Sequence, residues 1–294
     1  MELQTVSNLI FPLLNTKATN KGTTTHVLRL DKLHPIVSGN KWYKLKYILA
    51  DAINNKCTTI ITFGGVWSNH IIATAAACKY YNLQSIAMVR SDEELTTATL
   101  LQAKAYGMHI QYVTRSQYKL LKYINGINPL NANEYYIPEG GSNALGIQGT
   151  TEILSTITHH KYTHILCCVG TGTTMVGLVN GSTTYQTIVG INAIKTSLTT
   201  NQALLQYGTQ HNYELLNGYS FGGFAKYNTE LLQFMNSWYA LTNIPTDIVY
   251  TSKLFYAYTK LLEQDYFGTN SNILIVHSGG LQGNQSLPLG VLHF

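Results

Sequence analysis

The sequence predicts an α/β protein of two domains, with mostly parallel sheets flanked by helices. Three observations carry this expectation. From about residue 58, β-branched apolar runs alternate with helix-patterned runs, as strands joined by helical crossovers do. Several of those runs end in glycine-rich corners that lead straight into the next helix. The chain has 294 residues, 45% of them hydrophobic, which is enough to bury the core of one or two domains.

Taken in order, "TTIITF" reads as a strand ending at Gly64-Gly65, and "SNHIIATAAACKYY" as a helix with small residues on one face. "SIAMVR" is a second strand, and "ELTTATLLQAKAYG" a helix that Gly107 closes as a C-cap. "HIQYVT" and "SQYKLLKYI" repeat the pair, and "EYYIPEGGSNALGIQG" is a strand running into a glycine-rich connection. The stretch from Gly140 to Gly149 is the natural candidate for a domain crossing. Beyond it, "THILCCVG" is a buried strand, "TTMVGLVNG" a helix and "YQTIVGINAI" a strand. "NTELLQFMNSWYALT" and "TSKLFYAYTKLLEQ" are helices with core-facing aromatics, and "NILIVHSGG" is a last strand.

Composition narrows the function. Charged residues are 11% of the chain, against roughly 25% in an average globular protein, and the net charge of +5 comes from scattered side chains. No Lys/Arg block follows a helix or strand, so no nucleic-acid partner is expected. The four cysteines form no C-x-x-C pair, and Cys167 and Cys168 sit inside an apolar run as buried strand residues. The opening "MELQTVSNLIFPLLN" lacks a basic leader, and no run approaches 18 apolar residues. These features predict a soluble, cytoplasmic protein without a membrane partner. His159, His160 and His164 have no carboxylate or cysteine at useful spacing; a solvated helix end explains them better than a metal site, and no metal is expected.

Ligands of open α/β sheets bind at the carboxyl ends of strands, and three such corners stand out. In "ILCCVGTGTTMVGLV" a buried strand ends at Gly170-Thr171-Gly172-Thr173-Thr174 before a helix. Backbone N–H groups at a helix start make an anion cradle, and three threonine hydroxyls add donors. No G-K-[ST] follows, and Met175 stands where a dinucleotide fingerprint needs glycine, so a small phosphorylated ligand fits better than a nucleotide. In "FGGVWSNH", Ser68 is a good N-cap with Asn69 and His70 opening the helix. In "VSGNKWYKLKYIL", Lys41 is placed at a helix start, where the dipole opposes its charge. A solvated basic face would explain Lys41, Lys44 and Lys46 taken alone. Together the three corners supply an amine nucleophile, a phosphate cradle and a carboxylate-binding helix start, the parts a pyridoxal phosphate enzyme needs.

The sequence also resembles a known family. "SGNKWYKLKYIL", "FGGVWSNH", "IPEGGSN", "VGTGTT", "IPTDIVYTSK" and "ILIVHSGGLQG" match, in order, the landmarks of the 1-aminocyclopropane-1-carboxylate deaminase / D-cysteine desulfhydrase family, over roughly Asp31 to Gly283. The resemblance implies a tryptophan-synthase-β-like (type II) fold holding pyridoxal 5'-phosphate. It implies that Lys41 carries the cofactor and that Lys44 and Gly170, Thr171, Gly172, Thr173 and Thr174 hold its phosphate. It further implies that Asn69 meets the ring oxygen, that Thr251 faces the pyridine nitrogen, and that Ser68, Asn69, His70 and Tyr250 meet the substrate. Residues 1–46 and 145–294 would form the cofactor domain and 47–144 a smaller mobile one, in a homodimer.

The sequence departs from the family at Tyr43, where relatives carry arginine, and at Phe224, where many carry a second active-site tyrosine; Tyr227 is nearby. A neutral threonine at 251 resembles the desulfhydrases rather than the cyclopropane deaminases, which carry glutamate there. The expected reaction is β-elimination from a small amino acid, D-cysteine to pyruvate, sulfide and ammonia. The alternative is deamination of 1-aminocyclopropane-1-carboxylate to 2-oxobutanoate. Two readings from other classes are a phospholigand-binding protein without chemistry at Lys41, and a non-catalytic relative with a regulatory role.

Overall fold

The computed structural model describes residues 4–13, 22–195, 198–209 and 212–294; part of the N-terminal stretch read above, residues 1–3, 14 and 15, lies outside them. The elements in chain order are β1 (Ile10–Pro12), β2 (Thr24–Arg29), α1 (Asn40–Asn54), β3 (Thr59–Gly64), α2 (Asn69–Tyr80), β4 (Gln84–Arg90) and α3 (Ala98–Ala105). They continue with β5 (His109–Val113), α4 (Arg115–Leu121), β6 (Gly126–Asn128), β7 (Asn131–Ile137), α5 (Ala144–Ser155), β8 (His164–Val169) and α6 (Thr173–Gly181). The chain closes with β9 (Thr187–Asn192), α7 (Leu198–Tyr207), β10 (Tyr213–Leu216), α8 (Thr229–Thr242), α9 (Thr251–Glu263) and β11 (Asn272–His277).

The strands form two sheets, in the orders β1-β2-β11-β8-β9-β10 and β5-β4-β3-β7-β6. Each is parallel except for one antiparallel pair at an edge, β1 with β2 and β6 with β7. The centre of the larger sheet is β8 and β11, paired from Ile273↔His164 to Val276↔Cys167. Both are continuous apolar runs because helices cover both faces of a parallel sheet. Tyr43 of α1, α5 and α6 pack on one side of that sheet, and α9 with Trp238 of α8 on the other. In the smaller sheet, α2 is buried nearly all round, which explains its alanines: Ala73 and Ala77 pack toward α1 and Ala75 toward α3.

The structure corrects the sequence reading in several places. The Gly140–Gly149 stretch is not irregular throughout: residues 139–141 form a short 3₁₀ turn, and Gly146 and Gly149 lie inside α5. A Cβ on Gly149 would fall 1.8 Å from the Tyr43 carbonyl oxygen, so glycine is there to let α5 touch α1. His159 does not belong to a solvated helix end; α5 stops at Ser155, and His159 is buried against the Gln186 side chain, 3.3 Å from Oε1. The third helix is shorter than its pattern, Arg115–Leu121, with Thr114 and Gln117 closing a capping box. Elements β1, β2, β6, α7 and β10 had no reading in the sequence. Cys57, Cys78, Cys167 and Cys168 are buried free thiols. Among the described residues no helix is long and apolar enough to cross a membrane.

Candidate active site

The carboxyl ends of β3, β8 and β11 and the start of α1 open on one cavity of about 580 Å³. Its wall includes Lys41, Lys44, Ser68, Gly170, Asp247 and Tyr250, so the three corners singled out in the sequence meet in space.

The Lys41 corner is built by close approach to β11. Gly39 has φ 65°, and a Cβ there would fall 1.8 Å from the Ser278 carbonyl oxygen. The Asn40 N–H donates to that same oxygen at 3.2 Å, which fixes where α1 begins. Lys41 then points its amine into the cavity, where Nζ donates to Asn40 Oδ1 at 2.7 Å. Burial lowers the amine to about 8, an effect the Asp247 carboxylate partly offsets.

One turn on, Lys44 is buried, and its Nζ donates to the Gly140 carbonyl (3.0 Å) and Thr171 Oγ1 (3.4 Å), both neutral oxygens. Burial, with the Lys41 charge added, pushes the Lys44 amine well below its ordinary value. Beside it α6 starts at Gly172, an N-cap with no side-chain hydrogen bond. A buried lysine beside a helix start, its amine donating among the described residues only to neutral oxygens, is suited to an anion.

The three threonines of the loop differ. Thr173 Oγ1 donates to Ser142 Oγ (3.1 Å), so Thr171 Oγ1 is the donor in its 3.0 Å bond to Thr173. Both protons therefore run away from the cavity, and Thr173 is not on its wall. Thr174 Oγ1 accepts from Asn40 Nδ2 at 2.8 Å and keeps its own proton for a ligand.

Ser68 caps α2 by accepting from the Ile71 N–H at 3.4 Å, which leaves the Ser68 proton free. With its amide turned to satisfy both ends, Gln282 donates to Asn69 Oδ1 (3.2 Å) and accepts from the Asn69 N–H (3.0 Å). His70 Nε2 lies 2.8 Å from Thr62 Oγ1, while its buried Nδ1 has no partner among the described residues. Burial, with Lys41 and Lys44 nearby, holds the imidazole well below its ordinary value and therefore neutral.

At the far end, the Tyr250 ring packs against Gly170, where a Cβ would fall 2.9 Å away, and edge-on against Phe224, centroids 6.1 Å apart. Burial pushes the Tyr250 phenol up, so it stays protonated. Thr251 lies beside Asp247. It is fully buried, off the cavity wall, and its hydroxyl donates to Asp247 Oδ1 (2.6 Å) while accepting from the Asp247 N–H (2.7 Å). The group on the wall is Asp247, whose carboxylate also accepts from the N–H groups of Val249, Tyr250 and Thr251.

Asn40, Asp247 and Gln282 are the site residues the sequence reading passed over. Asp247 carried a legible signal, an acidic cap-forming type just ahead of a helix; the other two had none outside their partners.

The fold, with a buried lysine beside an uncapped helix start, is that of a class: α/β enzymes that hold a phosphate-bearing carbonyl cofactor. The chain belongs to the pyridoxal-phosphate dependent enzyme family, whose sequence profile matches residues 11–279. It is similar to a Pyrococcus horikoshii protein provisionally named as a 1-aminocyclopropane-1-carboxylate deaminase, at 31% identity over 89% of this chain and 86% of that one. It is also similar to the bifunctional D-cysteine desulfhydrase/1-aminocyclopropane-1-carboxylate deaminase, mitochondrial, of Arabidopsis thaliana, 27% identical over 89% of this chain and 73% of the relative. Among solved structures, an ACC deaminase homologue superposes with a TM-score of 0.77 at 26% identity, over 94% of this chain and 90% of that one. The fold is thus tryptophan-synthase-β-like, and the protein is a pyridoxal-phosphate-dependent enzyme. The residues fit that cofactor: the Lys41 amine can bond its aldehyde, and the uncompensated Lys44 cation beside the α6 start can take its phosphate.

Proposed function

We propose that the protein carries out β-elimination and deamination of a small amino acid, D-cysteine first, releasing pyruvate, sulfide and ammonia. Lys41 is the lysine that carries the cofactor. Lys44, the Gly170–Thr174 loop and the Thr174 hydroxyl hold its phosphate, and the Asp247–Thr251 pair stands at the ring-nitrogen end. Bound pyridoxal phosphate would supply the electron sink for the pair left on the substrate α-carbon.

The chain's own groups do the rest. The α2 start, with the free Ser68 proton and the Asn69 amide, orients the substrate carboxylate. Neutral His70 stands behind them. The Lys41 amine, which burial holds below its ordinary value, is the base or acid placed beside the substrate α-carbon. Tyr250 keeps its proton beside the leaving group. The smaller unit, residues 47–144, closes over the bound substrate, and the chain works as a homodimer, as the resemblance implies, in the cytoplasm, as the sequence composition predicts.

The observation that carries D-cysteine is the wall beside Tyr250: an aromatic ring without a phenol, Phe224, packs against it. A thiolate leaves without acid help that ring opening needs. One observation favours the alternative, since Tyr227 also lines the cavity and brings a second phenol within reach of a cyclopropane substrate. The relatives carry both names. The test is keto-acid release from D-cysteine and from 1-aminocyclopropane-1-carboxylate measured side by side. Pyruvate from D-cysteine should form faster; faster 2-oxobutanoate from the cyclopropane would promote the alternative, and no keto acid from either would reject the reading.

A further inference from the structure

Asn40 touches both halves of the cofactor site, and each contact has a direction. Its Oδ1 accepts from Lys41 Nζ at 2.7 Å, and its Nδ2 donates to Thr174 Oγ1 at 2.8 Å. Because the amine is the donor, the amide cannot be reversed without breaking the first bond, so Nδ2 must face Thr174. Thr174 is thereby made an acceptor toward Asn40, and its own proton is turned to the cavity. This matters because the other two hydroxyls of the loop send their protons to each other and to Ser142.

We propose that Asn40 is a positioning residue that sets the direction of the Lys41 amine and, through the same amide, makes Thr174 the hydroxyl donor of the anion cradle. The inference rests on reading Lys41 as the cofactor lysine and Gly170–Thr174 as the phosphate loop. A neutral amide suits the role. It pins one N–H of the amine and leaves the lone pair to the cavity without adding a charge that would hold the proton on. An aspartate would pin the amine as well, but it would raise its proton affinity and draw the Thr174 proton toward itself.

The charged and titratable groups that share the cavity wall with Lys41 are Lys44 on its own helix, His70 on α2, Arg90 at the end of β4, Arg115 at the start of α4, Glu139 after β7, Cys168 on β8, Lys226 and Tyr227 ahead of α8, and Asp247 and Tyr250 before α9. None of them bridges the amine to the loop as Asn40 does.

The test uses cofactor-free protein and two probes, pyridoxal phosphate and pyridoxal, which lacks the phosphate. Covalent capture is followed by the visible band and by borohydride trapping, so turnover is not needed. Wild-type capture of pyridoxal should have its midpoint near pH 8, where the amine loses its proton. Asn40→Asp should move that midpoint up by about one unit or more and weaken pyridoxal phosphate. Asn40→Ala should leave the midpoint near its place and weaken pyridoxal phosphate about tenfold or more. Thr174→Val should weaken pyridoxal phosphate but not move the pyridoxal midpoint, and Thr174→Ser should restore the affinity.

The double variant Asn40→Ala/Thr174→Val should lose no more phosphate-dependent affinity than the worse single variant, since both break one link. Fully additive losses, or an Asn40→Asp midpoint equal to wild type, would overturn the proposal. If Asn40→Asp does not fold, by circular dichroism, the Asn40→Ala/Thr174→Val cycle decides alone. Failure of the parent reading looks different: Lys41→Ala would then still capture pyridoxal covalently with an unchanged band.

Discussion

The two ends of the cavity are built on opposite electrostatic plans. At the Lys44 end a buried cation has only neutral acceptors, and an uncapped helix start adds to the positive potential. At the Asp247 end a buried carboxylate is fully engaged, accepting three backbone N–H groups and the Thr251 hydroxyl. The first end is suited to an anionic ligand; the second has its hydrogen bonds made within the protein. A site that binds a phosphate-bearing ring needs this asymmetry. One end gains stability only on binding, while the other holds its shape beforehand and offers a fixed field to the ring.

Four changes probe the contrast. Lys41→Ala removes the group lying between the two ends, and turnover should fall by at least about 10³-fold, since both attachment and proton transfer are lost. Steady-state kinetics at saturating cofactor check it; a variant within tenfold of wild type would break the assignment. Ser68→Ala should lower kcat/KM by about ten- to a hundredfold, the value of one hydrogen bond to a charged group. The resting spectrum of its bound cofactor should be unchanged, because Ser68 is read as a substrate contact. An unaltered kcat/KM would remove it from the site.

The next two changes should act in opposite directions on the cofactor-free protein. Asp247→Asn breaks a complete network and should destabilise it by about 1.5–3 kcal/mol in urea unfolding. Lys44→Met removes a buried charge that has no counter-ion and should raise the melting temperature while weakening cofactor binding. The pH dependence of that gain has a definite sign. Lys44 binds its proton more weakly in the folded chain than in the unfolded one. The unfolded state therefore holds more protons up to the ordinary lysine value, and the lysine's penalty shrinks as pH rises. The gap between Lys44→Met and wild type should narrow from about pH 7 to about pH 9.5. A constant gap would mean that the amine is not strained by its burial.

The sequence showed some of this plainly and hid the rest for physical reasons. The alternation from residue 58 onward, the N-cap at Ser68 and the clustering of the three corners follow from local patterns and from the rule for strand carboxyl ends. Gly146 and Gly149 misled because glycine disfavours helix locally; only the close approach of the Gly141 carbonyl to Gly146, and of the α1 backbone at Tyr43 to Gly149, explains why they sit in one. The directions of the threonine protons were invisible because their partners are distant in sequence. Thr174 is set by Asn40, 134 residues away, and Thr173 by Ser142, 31 residues away. Thr251 lies only four residues from Asp247, yet its commitment appears only once the turn between them is folded. His159 looked solvated because a polar side chain such as Gln186, 27 residues on, leaves no trace in the local pattern.

The central claim is that the asymmetric cavity places the cofactor on Lys41 and its phosphate at Lys44. The most direct measurement is borohydride reduction of the yellow holoenzyme, followed by proteolysis and mass spectrometry of the labelled peptide. The account predicts a single pyridoxyl-phosphate adduct on Lys41, with Lys44 unmodified. An adduct on Lys44, or a stable holoenzyme with no reducible lysine linkage, would contradict it.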